Sequence, residues 1–84
     1  MFEIVGIERM DYVSKRTGQR VRGANLYCID GSEYHNTIGN RCEKLYCKES
    51  IDTSDLALGD RIEVSYNRWG KVETVALVES VAAG

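Results

Sequence analysis

Apolar and polar residues alternate along most of this chain, and the alternation predicts five β-strands. The first stretch, Phe2 to Val13, is rich in β-branched and aromatic residues, and Gly6 inside it indicates a bulge or a bend. The only gap long enough for a helix is Glu49 to Leu58, where we expect one short helix at most. Four shorter strand-like stretches complete the pattern: Arg22 to Asp30, Arg41 to Lys48, Arg61 to Tyr66 and Val72 to Val78.

The alternation assigns the residues of the second and third strands to two faces, because successive side chains of a strand point to opposite sides. The apolar face, which we predict to be the core, carries Ala24, Leu26, Cys28, Leu45 and Cys47. The other face carries Asn25, Tyr27, Lys44, Tyr46 and Lys48. A slip of one residue in register would exchange the faces, so the pattern leaves open whether Tyr27 and Tyr46 meet solvent or core.

Five strands in a chain of 84 residues predict one all-β domain, a small five-stranded OB-like barrel. An open sheet of this size leaves two bare edges, and closure into a barrel removes them. The last strand is apolar on both faces, which predicts that it is covered on both sides. An SH3-like barrel is the alternative with the same number of strands. We expect the barrel to span residues 1–80 and Val81 to Gly84 to form a frayed end.

The composition is that of a soluble globular domain, with 43% hydrophobic and 29% charged residues. No uncharged run is long enough for a membrane span, and the first residues lack the basic and apolar regions of a signal peptide. We therefore expect a cytoplasmic protein that does not contact membranes. Three cysteines without paired spacing also suit a reducing compartment.

The residues that carry chemistry predict no enzyme, metal site or cofactor. Cys28, His35, Cys42 and Cys47 are enough ligands for zinc, but six, six and four residues separate them and no close pair is present. Two of the cysteines also fall on the predicted core face, where thiols pack as small apolar groups. The single histidine has no evident nucleophile beside it, and no phosphate-binding glycine loop occurs.

The net charge of −2 argues against nucleic acid as a partner, but positive charges gather in two predicted hairpin turns. The second turn is Arg68-Trp69-Gly70-Lys71, where an aromatic ring lies between two cations. OB barrels bind oligonucleotides on the face of strands two and three, between the loops that correspond to these two turns. The first turn, which contains no acidic residue, brings together Lys15, Arg16, Arg20 and Arg22.

We therefore predict a surface made of cations and aromatic rings, since cations neutralise phosphates and rings stack on unpaired bases. The predicted phosphate contacts are Lys15, Arg16, Arg20, Arg22, Lys44, Lys48, Arg68 and Lys71. The predicted stacking residues are Tyr27, Tyr46 and Trp69, whereas Tyr12 and Tyr66 are expected to pack. Two simpler interpretations stay open: the basic hairpin is only a solvated turn, and Trp69 folds back over the end of the barrel.

Two segments, Val5 to Gly18 and Gly59 to Val72, resemble the beginning and the end of small proteins encoded by phages and mobile elements of Gram-positive bacteria. In size and layout the chain is also similar to the single-stranded DNA-binding proteins of filamentous phages. Those proteins are dimeric OB-type barrels that bind with tyrosines and basic loops. The resemblance therefore implies a homodimer and implies Tyr27 and the basic first hairpin as binding residues.

Taken together, these patterns predict a non-enzymatic protein of phage or mobile-element origin that binds single-stranded nucleic acid, with DNA favoured over RNA. The alternative is a protein-interaction module of a phage replication or host-takeover system, which would use exposed strand edges and the acidic middle of the chain. The position of the basic turns discriminates between the two. If they lie on the face of Tyr27 and Tyr46, nucleic acid is favoured, and if they scatter, the interaction module is favoured.

Overall fold

The computed structural model describes residues 1–80, and the predicted frayed end, 81–84, lies outside the described residues. Five strands form one antiparallel sheet in the order β3-β2-β1-β4-β5. The all-β prediction with five strands is confirmed, although two strands are longer than expected. The sheet is open between its edges β3 and β5, which nevertheless approach each other. The strands are β1 (Phe2–Val13), β2 (Arg20–Asp30), β3 (Arg41–Lys48), β4 (Arg61–Tyr66) and β5 (Val72–Glu79).

The predicted irregularity in β1 is present. The register between β1 and β2 shifts between Ile4 and Gly6, so that Gly6 lies opposite Tyr27. A Cβ atom on Gly6 would lie 3.3 Å from the Tyr27 Cβ atom, which is tight for a side chain there. The bulge bends the strand. β1 pairs with β2 along its length on one edge and with β4 through Phe2 and Glu3 on the other.

The core lies on the face that the alternation predicts. Ile4 and Ile62 join it from β1 and β4, and both are fully buried. Tyr27 and Tyr46 are exposed on the opposite face, with 39% and 47% of their surface accessible, so the question of register is answered. The predicted core residues of β2 and β3 are all buried: Ala24, Leu26, Cys28, Leu45 and Cys47.

The connection from β3 to β4 packs against one end of the core without forming a helix. Ile51 and Leu56 contact the buried cluster. The Arg9 guanidinium donates from Nη1 to the Thr53 hydroxyl at 2.9 Å and from Nη2 to the Thr53 carbonyl at 3.0 Å. Asp60 accepts the Ala57 N–H at 2.9 Å through Oδ2. Side-chain and turn hydrogen bonds therefore order this segment. Within residues 1–80 there is no helix that could cross a membrane.

The expectation that the last strand is covered on both sides is wrong. β5 is an edge of the sheet, and Leu77 and Val78 are each about half exposed. Val72 and Val75 pack towards the core, and no second layer of the described residues covers the other side chains of β5. Apolar residues on both faces of a strand are therefore not sufficient evidence of burial in so small a domain, where few elements are available to cover a sheet.

The assignment of faces predicts how the three thiols react. Burial raises the pKa of Cys28 to about 11 and also raises that of Cys47, whereas Cys42 is exposed on the other face of β3. Because the thiolate is the reactive form, native protein treated with iodoacetamide at neutral pH should gain one adduct, on Cys42. Peptide mass mapping checks this, with unfolded protein as the control that should gain three. Rapid labelling of Cys28 or Cys47 in native protein would contradict the assignment.

Gly23 provides a test of the packing between β2 and β3. A Cβ atom there would lie 2.6 Å from the Cys47 carbonyl oxygen and 3.2 Å from the Tyr46 ring. We expect Gly23→Ala to lower the free energy of unfolding by about 1–3 kcal/mol, because a well-packed backbone must shift to admit the methyl group. The matched control is Gly31→Ala, whose Cβ atom would meet its nearest neighbour at an ordinary 3.4 Å. Equal denaturant midpoints for the two variants would contradict the packing described here.

Candidate nucleic-acid interface

The outer face of β2 and β3, on the side away from the core, brings together four of the predicted aromatic and basic residues: Tyr27, Lys44, Tyr46 and Lys48. Asn25 lies opposite Tyr46 in the register, and Tyr27 lies opposite Lys44. Lys48 pairs with Gly23 at the end of the same row. The two tyrosines therefore sit on neighbouring strands with a lysine on either side of Tyr46. This arrangement places flat rings and cations within one strand spacing of each other.

Tyr27 is held in place by its neighbours on β1 and β2. Its hydroxyl donates to Glu8 Oε1 at 3.2 Å, and Asn25 Nδ2 donates to the same oxygen at 2.9 Å. Both bonds lower the pKa of Glu8, and the bond from Asn25 has the larger effect. The pKa of Tyr27 is raised by partial burial and, to a smaller extent, by its hydrogen bond to the Glu8 carboxylate. The ring also lies against Gly6. Tyr27 is therefore a fixed and partly exposed aromatic surface.

A cleft of about 340 Å³ lies between β3 and the turn that joins β4 to β5. Tyr66 lines it and is 47% exposed, so the expectation that this tyrosine packs is wrong, as it is for the 53% exposed Tyr12. Only the position of Tyr66, at the end of β4 beside the second basic turn, could have indicated a binding role from the sequence. The other side chains that line the cleft include Glu43, Lys44, Leu45, Tyr46, Lys48, Asn67, Lys71 and Val72.

The turn between β4 and β5 is built around Asn67. Its Oδ1 accepts the N–H groups of Trp69 at 2.9 Å and Lys71 at 3.0 Å, and Gly70 supplies the positive φ of +75° that the turn requires. Trp69 is 71% exposed, with the Arg68 guanidinium 4.7 Å from the ring centre. The indole therefore projects from the turn and does not fold back over the sheet.

The four predicted phosphate contacts of the first hairpin lie in two different places. Arg20 and Arg22 share the face of Leu26, opposite to the tyrosines, because β2 alternates without interruption. Arg20 donates two hydrogen bonds to Asp11, at 2.8 and 2.9 Å, and Arg22 lies 3.3 Å from a Glu49 oxygen. Structural ion pairs on the far face thus engage both side chains. Lys15 and Arg16 lie in the exposed turn itself.

The arginines and the lysines of the chain differ in whether their side chains have partners. Within residues 1–80, every arginine except Arg16 makes a side-chain hydrogen bond, an ion pair or a ring contact, and none of the four lysine side chains makes a hydrogen bond or an ion pair. Guanidinium groups suit such fixed pairing, whereas ammonium groups stay hydrated and mobile. Three of the four free lysines line one cleft: Lys44, Lys48 and Lys71.

The cysteines and the histidine do not form a common site. Cys42 lies on the outer face of β3, and the others lie elsewhere. Cys28 and Cys47 are buried in the core, and His35 lies exposed in the connection between β2 and β3. No group of three or more potential metal ligands occurs within residues 1–80. The lysines and tyrosines of the outer face are therefore the candidate functional residues.

Compared with known proteins, the chain matches no protein-family model, no curated protein and no solved structure. The resemblance to phage and mobile-element proteins, and the homodimer it implies, stay predictions. The function is therefore inferred from the surface described above.

Proposed function

We propose that this protein binds single-stranded nucleic acid, DNA in the first instance, without catalysing a reaction. The observation that carries the proposal is that three lysines without a direct ion pair meet Tyr46 and Tyr66 in one cleft beside Tyr27. Cations that no carboxylate neutralises are available to phosphates, and each contact releases condensed counterions. Rings beside those cations supply stacking surfaces for bases.

The strand order supports an OB-like barrel as the scaffold. β3 and β5 approach each other at the open seam of the sheet, and closure there would complete a five-stranded barrel. The proposed surface lies on β2 and β3, with the β4–β5 turn beside it, which is where OB barrels hold oligonucleotides. The scaffold and the chemistry of the surface therefore favour the same ligand.

Not every predicted binding residue contacts the strand in this proposal. Lys44, Lys48 and Lys71 contact phosphates in this proposal, Arg68 and Trp69 cover the strand from the turn, and bases stack on the exposed tyrosines. Lys15 and Arg16 extend the path along the first hairpin. Arg20 and Arg22 are left to hold that hairpin together, because Asp11 and Glu49 already engage them on the opposite face.

Two observations favour the protein-interaction alternative. Arg20 and Arg22 of the first basic turn lie on the face opposite the tyrosines, and the β5 edge exposes apolar residues. Leu77 and Val78 lie there, next to Ala76. However, the register of β5 against β4 shifts at Glu73 and at Val78, and such bulges interrupt the regular edge that a partner strand needs. The edge is thus protected against strand addition, and we place this alternative second.

The proposal is tested by titrating oligo-dT while Trp69 fluorescence is followed at several salt concentrations. Lys48→Ala should weaken binding and reduce the salt slope by about 0.7, the value for one phosphate contact on a single strand. The matched control, Arg22→Ala, removes an equal charge from the opposite face and should leave the slope unchanged. Tyr46→Ala should cost about 1–3 kcal/mol of binding free energy through lost stacking, with little change of slope.

Two results would contradict the proposal. One is the absence of binding to any single strand at low salt, and the other is equal affinity for duplex and single strand, since paired bases cannot stack on the tyrosines. Thermal melting of each variant distinguishes lost contacts from lost folding.

A further inference from the structure

The cleft between β3 and the β4–β5 turn has an inner wall and an outer rim of different chemistry. Because the side chains of β3 alternate, Glu43 and Leu45 point to the inner side of the sheet, and Lys44, Tyr46 and Lys48 point to the outer side. Tyr66 faces the inner side from β4, like Ile62 and Val64. The rim is therefore cationic, whereas the inner wall combines apolar surface, a phenol ring and one carboxylate.

This division suits a nucleotide whose base enters the cleft while its phosphate stays at the rim. The volume, about 340 Å³, lies within the range of roughly 300–1,000 Å³ that small-molecule sites occupy. Leu45 and Val72 give the base an apolar floor, and the Tyr66 ring gives it a stacking partner. The lysines at the rim are placed to meet the phosphate.

Glu43 determines which base would fit. It is the one carboxylate among the side chains that line this cleft, and within residues 1–80 it makes no side-chain hydrogen bond or ion pair. Other acidic residues are already engaged, as Glu8 is by Tyr27 and Asp11 is by Arg20. Burial and then the negative charge of Glu43 raise the pKa of Tyr66, which places the carboxylate close to that ring. A carboxylate only accepts hydrogen bonds.

We propose that this cleft holds one guanine base of the bound strand, with the Glu43 carboxylate accepting hydrogen bonds from guanine N1–H and N2–H₂. The inference rests on the proposed function and adds a base preference to it. Guanine is the only common base with two adjacent donors on its pairing edge, and these match the two oxygens of a carboxylate. Adenine and cytosine present one donor next to an acceptor nitrogen, and thymine presents its N–H between two carbonyl oxygens, so each places an acceptor against Glu43.

The test compares oligo-dT with the same oligonucleotide carrying a single central dG, dA or dC, titrated at constant salt. We expect the dG oligonucleotide to bind between about fivefold and about 150-fold more tightly than oligo-dT, the range that a good bidentate contact gives. Glu43→Gln should remove most of this preference, since an amide replaces one acceptor oxygen with a donor. The control, Glu63→Gln, removes an equal charge on the outer face of β4 and should keep it. The ratio of affinities cancels the general effect of charge on binding.

A second arm uses GMP and TMP as free competitors and distinguishes a base read within a strand from a nucleotide bound alone. Displacement of the dG oligonucleotide by GMP and not by TMP supports a cleft that accepts the isolated nucleotide, and resistance to both supports one that reads guanine within the strand.

Equal affinity for all four oligonucleotides, or a preference unchanged in Glu43→Gln, overturns the guanine inference while the proposed function stands. If no oligonucleotide binds, the proposed function fails. The inference about the bound strand then fails with it, and a shift of the NMR signals of Glu43 and Tyr66 by GMP, and not by TMP, would indicate a site for the free nucleotide instead.

Discussion

β1 pairs with β2 over its length on one edge and with β4 through its first two residues on the other, and a bulge interrupts β1 between Ile4 and Gly6. A bulge bends its strand and increases the local twist, so the sheet curves. That curvature carries the β4–β5 hairpin round towards β3, where the cleft forms. The same bulge sets Gly6 opposite Tyr27, and the missing side chain leaves room for the ring. Both halves of the candidate surface thus depend on one irregularity.

The second feature that shapes the surface is the allocation of charge. Carboxylates engage arginines at the first hairpin and at the β4–β5 end, as Asp11 does with Arg20 and Glu79 does with Arg61. Exposed pairs of this kind add little stability, since water and salt screen them. Their effect on the surface is larger at the first hairpin, where they neutralise positive charge on the face opposite the tyrosines. The lysines of the cleft keep theirs, so a chain of net charge −2 still presents a cationic rim.

The alternation of residues predicted the strands, their faces and the bulge at Gly6, because a period of two and a glycine are local properties of the sequence. It failed for β5, where coverage depends on which elements remain to pack against a strand. It also failed for Arg22, which was predicted to contact phosphate but forms an ion pair with Glu49. Glu49 is 27 positions away in the chain and meets Arg22 only because β2 pairs with β3. Tyr66 was missed for the same reason: its exposure follows from the seam between β3 and β5, which no local pattern describes.

The engagement of Arg20 and Arg22 by acidic residues also affects how fast a strand can be captured. Electrostatic steering raises association rates only when an uncompensated field extends beyond the Debye length, about 8 Å at physiological ionic strength. Here acidic residues pair with two of the four cations of the first hairpin and the whole chain is weakly anionic, so the long-range attraction of a polyanion is weak. Association would then proceed near the unsteered rate of about 10⁵–10⁶ M⁻¹s⁻¹. Under the proposed function, such a protein would select its ligand after contact, by residence time, and not by long-range attraction.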